Sequence, residues 1–71
     1  MSGLVLEVNG RPMEVPAGAS VADVVSQLTG EIAPRGLAVA VDRSVVPRSE
    51  WASTPVRVGS RVEVVGAAAG G

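Results

Sequence analysis

The residues best suited to chemistry are the last two, Gly70 and Gly71, which follow a run of small residues from Gly66 to Ala69. A carboxylate on a terminal glycine has no Cβ beside it, and glycine permits close approaches that other residues forbid. Such an end can enter a narrow tunnel in another protein and present its carboxylate to ATP. The competing interpretation is an ordinary frayed end, because chain termini are usually poorly ordered. The secondary-structure elements that precede the tail are needed to choose between a reactive end and a frayed one.

The composition leaves little room for catalysis by the side chains. With 71 residues the chain makes one small domain. It has no cysteine and no histidine, which removes disulfides, thiolate metal sites and the commonest general base. We therefore expect that the chain is not an enzyme on its own. We expect no metal site and no cofactor bound by the chain itself.

The charge and hydropathy of the chain limit the kinds of partner that it is expected to bind. The net charge is −1, all six basic residues are arginine, and Trp51 is the one aromatic residue. A nucleic-acid surface typically combines a basic stripe with stacking aromatics, so we expect no nucleic-acid partner. No apolar run approaches the ~20 residues that span a bilayer, and the N-terminus does not read as a signal peptide. We expect a soluble, cytoplasmic protein.

The first part of the chain predicts a β-hairpin. Residues 4–8 and 12–15 are rich in strand-forming residues, and they flank Asn9-Gly10, a strong signal for a two-residue turn. Because side chains alternate along a strand, one face of the first strand carries Leu4, Leu6 and Val8.

A helix is predicted after the hairpin. Ser20 and Asp23 have the spacing of a capping box, and Gly30 is typical of a helix C-terminus. Between these residues an apolar stripe at helical spacing is formed by Val21, Val24, Val25 and Leu28.

The rest of the chain predicts three more strands, at residues 37–41, 45–46 and 61–65, with one helical turn at 48–51. One amphipathic helix can cover one face of a mixed sheet of four or five strands. We therefore predict an α+β fold of the β-grasp, ubiquitin-like type. Its last strand should lie inside the sheet and lead into the tail. The predicted domain covers residues 1–65, and residues 66–71 form a flexible tail that ends in Gly-Gly.

Small apolar residues are expected on the outer face of this sheet. Ala38, Ala40 and Val65 should lie there next to Val5, and exposed apolar patches often bind partner proteins. We interpret Trp51 as a structural anchor, because a large ring contributes much of the buried area in a chain without Phe or Tyr.

Several stretches resemble the ThiS family, the ubiquitin-like sulfur carriers of thiamine biosynthesis. The Val-Pro-Arg-x-x-Trp sequence of residues 46–51, ahead of a terminal Gly70-Gly71, is the most specific of them. The other similar stretches are residues 15–21, 37–42 and 59–62.

The resemblance implies that the chain is a substrate of other enzymes. An E1-like adenylating enzyme would use ATP to convert the Gly71 carboxylate into an acyl-adenylate. Sulfur from a donor such as a cysteine desulfurase would then give a thiocarboxylate, which thiazole synthase receives. Gly70 would give the tail access to the partner's site, and Ala38, Ala40 and Val65 would dock the partner. We expect a monomer when the chain is free.

Two alternatives remain open. A small subunit of molybdopterin synthase has the same fold, terminal Gly-Gly and activation chemistry, and differs in its sulfur acceptor. A β-grasp interaction module would use no C-terminal chemistry.

Overall fold

The computed structural model describes residues 3–32 and 34–66. The elements are β1 (Gly3–Val8), β2 (Arg11–Pro16), α1 (Val21–Thr29), β3 (Leu37–Val41), β4 (Ser44–Val46), a 3-10 helix (Arg48–Ser53) and β5 (Arg61–Gly66). The five strands form one mixed sheet in the order β2-β1-β5-β3-β4, which places the last strand at the centre. The predicted β-grasp fold is confirmed.

The predicted hairpin joins β1 to β2 through Asn9 and Gly10. Both residues have positive φ, 52° and 83°, as a type I′ turn requires. Strand β2 forms one edge of the sheet, where Pro12 can be accommodated although it cannot donate a backbone hydrogen bond. From the turn, β1 and β2 pair antiparallel along their full length.

Helix α1 has the predicted caps at both ends. The Ser20 N–H donates to Asp23 Oδ2 at 2.8 Å, and the Asp23 N–H donates to Ser20 Oγ at 3.3 Å. At the other end Gly30 adopts a left-handed conformation with φ 80°, and its N–H donates to the Ser26 carbonyl at 2.7 Å. The caps satisfy backbone groups that a nine-residue helix would otherwise leave without partners.

The apolar stripe of the helix is buried except at its last member. Val21, Val24 and Val25 are fully buried, whereas 42% of Leu28 is exposed. Leu28 lies over the hairpin end of the sheet, where it lines a shallow groove with Val8 and Met13. The hairpin turns there, so little of the sheet remains to cover the last helical turn.

Trp51 holds the second half of the chain against this core. Only 1% of the residue is exposed, and its Nε1–H donates to the Val46 carbonyl at 2.9 Å. The structural interpretation of Trp51 is confirmed. The rest of the core is almost entirely valine, with the buried members Leu6, Val8, Val15, Ala19, Val21, Val24, Val25, Val39, Val46, Val56, Val62 and Val64.

The segment between the 3-10 helix and β5 closes the helix side of the molecule. The Thr54 carbonyl accepts from the Val21 N–H at 2.8 Å, and the Val56 N–H donates to the Ala19 carbonyl at 3.0 Å. In the part of the chain that the structure describes, no helix has the length and apolar character needed to cross a membrane.

Candidate functional site

The candidate site is the C-terminal end of β5, from which the tail continues. Strand β5 lies between β1, to which it is parallel, and β3, to which it is antiparallel. Val62 and Val64 face the core and are buried. The strand ends at Gly66, whose partner across the sheet is Leu37. A central strand that is paired on both sides therefore leads directly into the tail.

Two of the residues proposed from the sequence belong to that tail. Gly70 and Gly71 lie outside the described residues, which end at Gly66 on this side of the chain. Their proposed roles, tail access and modification, stay predictions.

Asn9 contacts the end of β5 through its side chain. The Val64 N–H donates to Asn9 Oδ1 at 2.9 Å, and Asn9 Nδ2 donates to the Val64 carbonyl at 3.2 Å. The two residues are 55 positions apart in the sequence. The sequence had identified Asn9 only as a turn residue, because the turn is a local signal and the contact with β5 depends on strand order.

The outer face of the sheet carries an apolar patch beside the end of β5. Ala38 pairs with Val65, and Ala40 pairs with Val45 on its other side. Val45 is 75% exposed and Val65 is 58% exposed, whereas the two alanines are half-buried between them. We call Ala38, Ala40, Val45 and Val65 the outer-face patch. The sequence missed Val45, because a strand of three residues does not show which face its side chains occupy.

Val5 does not belong to the outer-face patch, contrary to expectation. Glu7 pairs with Arg61, so Val5 lies two residues before that pair and Val65 lies four residues after it. Six positions along parallel strands correspond to about 20 Å. Val5 instead lies beside the turn before β5, where its carbonyl accepts from the Gly59 N–H at 3.0 Å.

Charged side chains separate Val5 from the patch. Arg61 Nε lies 3.7 Å from Glu7 Oε2 in an ion pair that is well exposed on both sides. Exposed pairs of this kind contribute little to stability. Glu63 lies opposite Ala40 on the border of the patch. The apolar surface next to the tail therefore has an acidic edge.

The arrangement can present a chain end and bind another protein. Among residues 3–32 and 34–66, no group of three or more acidic, cysteine or histidine residues could hold a metal ion. The sequence contains no histidine or cysteine anywhere.

Comparisons with known proteins agree with this geometry. The sequence pattern of the ThiS family matches residues 6–71. The fold is similar to the crystal structure of a thiamine biosynthesis protein (ThiS) from Geobacter metallireducens, with a TM-score of 0.73 and 26% sequence identity. That alignment covers 87% of this chain and 91% of the other. No curated protein sequence matches the chain significantly.

Proposed function

The chain belongs to the ThiS family, and from this membership we propose that it is a sulfur carrier in thiamine biosynthesis. The observation that carries the proposal is the extent of the family match, residues 6–71, which includes most of the β-grasp domain and the terminal Gly70-Gly71. The position of β5 supports it, because the central strand leads into the tail. The chain acts as a carrier and a co-substrate, and its partners supply the catalysts.

Activation of the tail begins with ATP in the partner enzyme. A carboxylate is a poor electrophile, because an oxide is a poor leaving group. In the proposed reaction an oxygen of the Gly71 carboxylate attacks the α-phosphorus of ATP, and pyrophosphate leaves. The product is an acyl-adenylate at Gly71, in which AMP is a good leaving group. An E1-like adenylating enzyme binds the ATP, and the carrier itself binds no cofactor.

Sulfur then replaces AMP. The terminal sulfur of a persulfide, formed on a donor such as a cysteine desulfurase, attacks the Gly71 carbonyl carbon and AMP leaves. A thiol cleaves the sulfur–sulfur bond of the acyl persulfide, which releases the thiocarboxylate and leaves a disulfide. The thiocarboxylate is a good nucleophile that stays attached to its carrier. Thiazole synthase is the proposed acceptor.

The small side chains of the tail suit repeated binding and release. Ordering a backbone costs roughly 1–2 kcal/mol per residue, and glycine and alanine add almost no side-chain entropy to that cost. A tail of these residues can enter a narrow site without a side chain that must be fitted. Binding of the folded domain to the partner offsets the remaining cost.

The outer-face patch is the proposed docking surface for the adenylating enzyme. The patch includes Val65 of β5, which pairs with Ala38 one residue before the strand ends. An enzyme that covers the patch would therefore also be close to the tail. Exposed apolar groups with an acidic border at Glu63 suit a partner surface that is apolar with basic residues at its edge.

Replacing Ala40 with Asp is expected to weaken docking while the fold is kept. The new carboxylate would lie in the middle of the patch, opposite Glu63, and would have to be desolvated when the partner binds. The KM for the carrier in ATP–pyrophosphate exchange should rise about tenfold or more, which corresponds to ~1.4 kcal/mol of lost binding. Circular dichroism should show a native spectrum.

Val5→Asp is the matched control for this variant. Val5 lies on the same face of the sheet, and it pairs with Glu14 as Ala40 pairs with Glu63. The control therefore adds a carboxylate opposite a glutamate but leaves the outer-face patch intact, and its KM should stay near that of the unaltered chain. Unchanged kinetics for Ala40→Asp would remove the patch from the docking surface.

Growth of a strain that lacks its own sulfur carrier tests the proposed pathway. Expression of this chain should restore growth without added thiamine, and the thiazole moiety alone should rescue the strain without the chain. If the chain instead restores only molybdopterin-dependent growth, thiazole synthase is not the acceptor. If it restores neither, the carrier function fails.

A further inference from the structure

Strand β5 extends beyond the end of β1, its parallel neighbour in the sheet. Strands β1 and β5 pair at Glu7↔Arg61 and Val8↔Val62, and the Asn9 N–H donates to the Val62 carbonyl at 2.9 Å. At Asn9 the chain enters the hairpin turn with φ 52° and leaves the direction of β1. The N–H and C=O of Val64 therefore point to a place that the β1 backbone no longer occupies.

The Asn9 side chain fills that place. In a regular parallel ladder, the Val64 N–H would donate to the Asn9 carbonyl, and the Val64 carbonyl would accept from the N–H of residue 11. Here Asn9 Oδ1 accepts the first bond at 2.9 Å and Asn9 Nδ2 donates the second at 3.2 Å. A side-chain amide has the donor and the acceptor of a peptide group, whereas a carboxylate can only accept. Asn9 thus continues the ladder by two hydrogen bonds.

We propose that Asn9 is a positioning residue for the tail, an inference that rests on the proposed carrier function. Its amide holds β5 extended at Val64, two residues before the strand ends at Gly66. The end of β5, from which the tail continues, is thus held on both sides, by Asn9 and by β3. A glycine or aspartate would suit the positive φ of the turn equally well, so the turn alone does not require asparagine.

Asn9→Gly separates the two roles of the residue. Glycine keeps the turn conformation and removes only the amide. The Val64 amide proton should exchange with solvent about tenfold faster or more, because two hydrogen bonds of ordinary strength are lost. The amide of Leu6, in the middle of β1, should change far less. Trp51 fluorescence reports that the core is intact.

Kinetics with the E1-like enzyme show whether this positioning matters. For Asn9→Gly, kcat of adenylation should fall about tenfold while KM changes little, because the outer-face patch is untouched and a misplaced carboxylate slows the chemical step. Ser20→Ala is the control. It removes the helix cap at the opposite end of the sheet and costs comparable stability, and its kcat should stay unchanged.

The outcomes distinguish this inference from the function on which it rests. Normal Val64 exchange or normal kcat in Asn9→Gly overturns the positioning role and leaves the carrier function standing. An equal fall in kcat for Ser20→Ala also overturns it, because general destabilisation would then explain both variants. If the unaltered chain is not adenylated at all, the carrier function is overturned, and Asn9 has no such reaction to serve.

Discussion

Adding one alanine after Gly71 should abolish thiocarboxylate formation without changing the fold. The extra residue moves the reactive carboxylate by about 3.5 Å and places a Cβ next to it. A misplacement of about 1 Å can lower a rate ~100-fold, so a loss of at least that size is expected. Intact-mass analysis after incubation with adenylating enzyme, ATP and sulfur donor measures the converted fraction.

The matched control carries the same alanine ahead of Met1. Strands β1 and β5 are parallel, so the start of β1 lies at the opposite end of the sheet from the tail. This variant should be converted like the unaltered chain. Full conversion of the chain extended at Gly71 would show that the reaction does not require the carboxylate to lie on Gly71. No conversion of either chain would instead favour a β-grasp interaction module, whose partner does not use the terminal carboxylate.

Replacing Trp51 with Ala should destabilise the domain by roughly 3–5 kcal/mol, a range typical of large aromatic side chains deleted from a core. The loss also leaves the Val46 carbonyl without its 2.9 Å donor. Small domains have only about 0.05–0.15 kcal/mol of stability per residue. A large fraction of Trp51→Ala should therefore be unfolded at 37 °C, as measured by far-ultraviolet circular dichroism during thermal or urea unfolding.

Two further variants help to interpret the result for Trp51→Ala. Trp51→Phe keeps an aromatic ring but loses the Nε1 donor, so we expect a smaller loss, roughly 1–3 kcal/mol. Val58→Ala alters a side chain that is mostly exposed, and such changes usually stay within about 0.5 kcal/mol. A melting temperature of Trp51→Ala equal to that of Val58→Ala would show that Trp51 does not anchor the core.

Local signals in the sequence predicted the local structure of the domain. The Asn9-Gly10 turn, the Ser20–Asp23 capping box and the Gly30 stop each depend on a few adjacent residues, and all three are present. The central position of β5 also followed from the sequence, because a single helix must cover the sheet.

Features that depend on register could not be predicted in the same way. The position of Val5 relative to Val65 follows from the pairing of Glu7 with Arg61, which no local pattern specifies. Leu28 fits the periodicity of a buried stripe, but its exposure depends on where the hairpin ends beneath the helix. The side chain of Asn9 meets Val64 only because β1 and β5 are neighbours.

The chemistry of the candidate site stays a prediction from the sequence, whereas its surroundings needed the structure. The terminal glycines and the lack of histidine and cysteine pointed to the carboxylate of Gly71 as the reactive group. The composition of the outer-face patch needed the structure, which added Val45 and removed Val5.

Intact-mass analysis of the unaltered chain tests the carrier function most directly. The chain is incubated with the E1-like enzyme, ATP and a persulfide donor, and parallel reactions omit ATP or the sulfur source. The account predicts a mass increase equal to the exchange of one oxygen for sulfur, located at Gly71 by fragmentation and absent without ATP. An unchanged mass, with an enzyme that converts its known carrier under the same conditions, would contradict it.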